Sequence, residues 1–103
     1  MDEKALLEHI RALIHAPLEG DAPEARARVE RTLTDGYAHA LLLEGERRQL
    51  ERRIGEVTAR LGTGERDSLV GELSALSQKL SRTDRALAEL RGVLASLRDR
   101  LRR

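Results

Sequence analysis

Residues 60–69 read RLGTGERDSL. Two glycines flank a threonine, and helix-forming sequence lies on both sides. Either this loop cradles a phosphate or it turns the chain around. A phosphate loop needs a longer glycine pattern closing on Lys-Ser or Lys-Thr, set between a strand and a helix. The loop here is short, lacks that lysine and follows a helical pattern, so the turn is the better reading.

The flanks test it. After the loop, Leu69, Leu73, Leu76, Leu80, Leu87, Leu90, Leu94, Leu97 and Leu101 alternate spacings of four and three, with Thr83 in the vacant slot. This is a heptad pattern. Before the loop the same pattern runs through Val29, Leu33, Gly36, Ala40, Leu43, Arg47, Leu50, Ile54, Val57 and Leu61. Across a hairpin, facing residues keep a constant sum of residue numbers. Leu61 with Leu69, Val57 with Leu73, Ile54 with Leu76 and Leu50 with Leu80 share one sum. Leu43 with Leu87, Ala40 with Leu90, Leu33 with Leu97 and Val29 with Leu101 share it too. Arg47, the one charge in the first pattern, falls opposite Thr83, the one polar residue in the second. The sequence therefore predicts an antiparallel coiled-coil hairpin, with Arg47 and Thr83 as a layer that fixes register.

The ends of the helices carry their own signals. Leu6, Leu7, Ile10, Leu13 and Ile14 form one face of a 3.6-period helix. Asp2 and Glu3 sit in its first turn, where the helix dipole favours anions, and Pro17 and Gly20 end it. Asp21-Ala-Pro-Glu24 resembles a capping box with proline in the first turn. Gly62 supplies a stop, and Thr63 a cap for the third helix. The expected elements are a helix over 3–15, a second over 22–61, a turn at 62–64 and a third over 65–102, in one all-α domain spanning 1–103. Each long helix would span about 55 Å and the first about 20 Å.

The hairpin has two unlike halves. Near the loop, the positions flanking the second helix's pattern are polar: Arg48, Gln49, Glu51, Arg52, Arg53, Glu56 and Arg60. Far from it the apolar face broadens through Tyr37, Ala38, Leu41 and Leu42, with Ala86 and Val93 on the third helix. The short first helix is expected to cover part of this end. Apolar surface left over marks an interface. Leu6, Leu7, Ile10, Leu13, Ile14, Tyr37, Leu41 and Leu42 are the expected interface residues of a two-fold homodimer, a bundle of four or more helices.

Composition fits helix seams. Of 103 residues, 36% are charged and 40% hydrophobic, and Tyr37 is the single aromatic. Narrow seams need only Leu, Ile, Val and Ala, whereas a globular core of this size uses larger rings. The net charge of +1 gives no global field to recruit nucleic acid or an acidic membrane. The basic residues are almost all Arg, a bias that points to a GC-rich, bacterial genome. Without Cys there is neither a disulfide framework nor a thiolate metal site. No apolar run approaches the roughly 20 residues of a membrane span. The opening MDEKALLEHI is charged too early for a signal peptide, so a cytoplasmic protein is expected.

Chemistry is sparse. His9 and His15 are badly spaced for one helix face, His39 stands apart, and neither Glu-x-x-His nor His-Glu-x-x-His occurs. No metal and no cofactor is expected. Arg47 could bind an anion, but no second polar cluster converges on it. The basic end, Arg98, Arg100, Arg102 and Arg103, lacks the aromatics of single-strand binders, and the helix dipole accounts for it. The favoured reading is a non-catalytic helical-hairpin interaction protein, a coiled-coil adaptor or small regulatory subunit, acting through self-association and an unknown protein partner. One alternative is a nucleic-acid-associated protein using the Arg-rich ends. Another is a small helical-bundle enzyme that binds an anionic metabolite through Arg47.

Overall fold

The structure, a computed structural model, describes residues 2–15 and 23–102. Among them it is all-helical, 93% helix in three helices with no strand. The first, α1, is Glu3–His15; α2 is Pro23–Arg60; α3 is Arg66–Leu101. Pro17, Gly20 and Asp21, expected to separate the first two, lie outside the described residues. The chain forms two compact units, Met1–Leu41 with Ala88–Arg103, and Leu42–Leu87.

Local chemistry sets the ends. The carbonyl of Asp2 accepts the first helical bond of α1, from the Leu6 amide at 2.9 Å, and Glu3 stands in the first turn. Pro23 opens α2, where its missing N–H has no helical partner to lose. Arg60 and Thr63 close it: the Thr63 amide and hydroxyl both donate to the Arg60 carbonyl, at 3.1 and 2.8 Å. Thr63 thus finishes α2 rather than capping α3, the role its sequence position had suggested. The residue before α3 is Glu65, whose carbonyl accepts the Leu69 amide at 3.1 Å. The left-handed position of the turn is Gly64, with φ of 141°, not Gly62. A side chain there would be strained whatever the space.

In the unit that contains the termini, the core combines all three helices. Leu6, Leu7 and Ile10 of α1 are buried, with Val29, Leu33 and Ala40 of α2 and Leu90, Leu94 and Leu97 of α3. Burying a leucine fully contributes about 1.5–3 kcal/mol. Gly36 is part of the same packing: a Cβ built on it would overlap the Leu94 side chain. Polar contacts among the described residues hold α1 to α3. Arg11 is paired with Glu89, and the Arg100 guanidinium donates to the carbonyl of Ile14. Ile14 lies in the last turn of α1, whose carbonyls have no partner within the helix. A guanidinium there also meets the negative end of the dipole.

The unit of residues 42–87 is made from parts of α2 and α3 alone. Leu43, Leu50, Val57, Leu69 and Leu87 are buried, while Ile54, Leu73, Leu76 and Leu80 are half-buried. Arg53 crosses from α2 to donate to Glu72 at 2.5 Å and also reaches Glu56 at 3.4 Å. The Glu72 hydrogen bond and charge, then Glu56, raise Arg53 above its ordinary value. The guanidinium, charged at every working pH, therefore stays so.

Candidate interaction site

The polar residues singled out from the sequence do not converge. In the register layer, Arg47 is half-buried and Thr83 buried, but they do not bond to each other. The Thr83 hydroxyl donates to the Lys79 carbonyl one turn back, at 3.0 Å. Arg47 Nε lies 3.2 Å from Glu51 and 3.8 Å from Asp84. The arginine stem crosses apolar surface and its head sits between two carboxylates at the edge, a common way for a long cation to occupy a seam. Two carboxylates already balance the charge that an anionic metabolite would need.

The histidines are scattered. His9 Nε2 is 3.3 Å from the Thr32 hydroxyl, which itself donates to the Arg28 carbonyl at 3.0 Å. His15 ends α1 in solvent, and His39 carries a buried Nε2 without a hydrogen-bond partner. Among the described residues no group of three His, Cys, Asp or Glu side chains could hold a metal. A depression of about 370 Å³ at the start of α1 is lined by Asp2, Glu3, Lys4, Leu7, Glu8, Arg11 and Glu89. A second, of about 390 Å³, lies among Glu46, Gln49, Leu50, Arg53, Leu76 and Lys79. Both mix charges of opposite sign and aim no set of donors at one point. No helix among the described residues is long and apolar enough to cross a membrane.

The basic end of α3 is partly engaged. Arg100 holds the end of α1, and Arg26 reaches the Leu101 carbonyl at 3.5 Å. One arginine of the basic end expected to greet nucleic acid, Arg100, thus serves as an internal fastener. Periodicity does not reveal such a fastener, because long-range side-chain reach leaves no periodic trace.

The expected interface residues separate into two groups. Leu6, Leu7 and Ile10 are buried inside the chain, and Leu13 and Ile14 are half-buried. Tyr37 is 41% exposed, and Leu41 and Leu42 are each 66% exposed. The seat of α1 does have a signal in the sequence, one the heptad pattern does not capture. On α2, the series spaced by seven through Ala25, Thr32 and His39 is wholly or partly buried. Its continuation, Glu46, Arg53 and Arg60, is exposed. Small or neutral residues mark the side where α1 lies; charges mark where it does not.

On the surface lie Val70 of α3 and, on α2, Tyr37, Ala38, Leu41 and Leu42, all exposed. Isolated exposed leucines are ordinary, but a contiguous set on one helix is the usual mark of an interaction surface. Comparison with protein-family models, with curated proteins and with solved structures finds no match.

Proposed function

We propose that this chain is a non-catalytic interaction protein, an antiparallel coiled-coil hairpin with a docked N-terminal helix, which works as a homodimer presenting its helices to a protein partner. The observation that carries this reading is the pair Leu41 and Leu42, each 66% exposed, on a helix whose other large apolar side chains mostly point inward. The hairpin is supported by contacts within each unit: Gly36 against Leu94 in one, Arg47 to Asp84 and Arg53 to Glu72 in the other. In each case a residue earlier on α2 meets one later on α3. The absence of a convergent polar site among the described residues favours binding over chemistry. An adaptor or small regulatory subunit in the cytoplasm of a bacterium fits this chemistry best.

Static light scattering on the full chain tests self-association. The expected mass is twice 11.5 kDa at micromolar concentration. A mass of one chain throughout that range would remove the homodimer.

A further inference from the structure

We draw no further inference here: the strongest candidate, the exposed apolar side chains of Tyr37, Ala38, Leu41 and Leu42 on α2, belongs to the interaction surface already proposed, and nothing in the structure shows what covers it.

Discussion

The two units solve one packing problem with different means. In residues 42–87, segments of two helices pack together, and Ile54, Leu61, Leu73, Leu76 and Leu80 are only partly buried. In the unit of the termini a third helix closes the side of the seam, and Ile10, Leu90, Leu94 and Leu97 are buried to within 1%. The difference is written in the flanking positions. Two helices can be flanked by arginine and glutamate, because those side chains lie along the seam with their charges in water. Three helices need small neutral residues there, as at Ala25 and Thr32. The lesson is that burial per leucine depends on what stands beside the heptad, not on the heptad itself.

Truncating equivalent leucines is the strongest way to break that comparison. Leu90→Ala is expected to cost about 2–5 kcal/mol, because the fully enclosed site leaves a cavity. Leu76→Ala, half-open already, should cost about 1 kcal/mol, close to its lost transfer energy alone. Urea unfolding of both variants measures this, and equal losses would mean that α1 does not enclose the first unit. The glycines give a smaller contrast of opposite sign. Gly36→Ala forces a methyl into Leu94 and should destabilise by about 1–3 kcal/mol. Gly55→Ala, with nothing within 4 Å of the added carbon, should stabilise by about 0.5–1 kcal/mol. Thermal melts of the two should move in opposite directions. The smallest effect belongs to Arg47. A part-exposed ion pair contributes about 0–1 kcal/mol, so Arg47→Leu should keep the fold and raise the melting temperature by a few degrees. A loss of about 3 kcal/mol or more would instead mean that Arg47 is held as a buried, paired charge and not as a part-exposed one.

Much of the helical class was legible, since a four–three alternation of leucine over four heptads admits little else. Helices expected at 3–15, 22–61 and 65–102 stand beside Glu3–His15, Pro23–Arg60 and Arg66–Leu101. The turn was readable as a turn but not in detail. Gly62 and Gly64 are equivalent on paper, and only backbone geometry assigns the positive φ to Gly64. Thr63 could serve either helix, and its hydroxyl chose the free carbonyl of Arg60. The candidate surface was legible in part. Leu41 and Leu42 fall off the heptad, so their exposure follows from periodicity. Leu6, Leu7 and Ile10 were harder, because a short amphipathic helix carries no statement of whether it docks at home or on another copy. Arg100 was least legible of all: its bond to Ile14 joins residues 86 positions apart.

That distance bears on the order of events during synthesis. Residues 42–87 are one continuous stretch closed by a short turn, so their contacts form as soon as the stretch exists. The other unit is assembled from two separate stretches, and Leu6, Leu7 and Ile10 have no complete seat until residues 88–103 have been made. At roughly 5–20 residues per second, α1 waits several seconds with its apolar face open. Its early charges, Asp2, Glu3, Lys4 and Glu8, keep that face soluble in the interval. Of the three helices α1 is thus made before the others and completes its packing last.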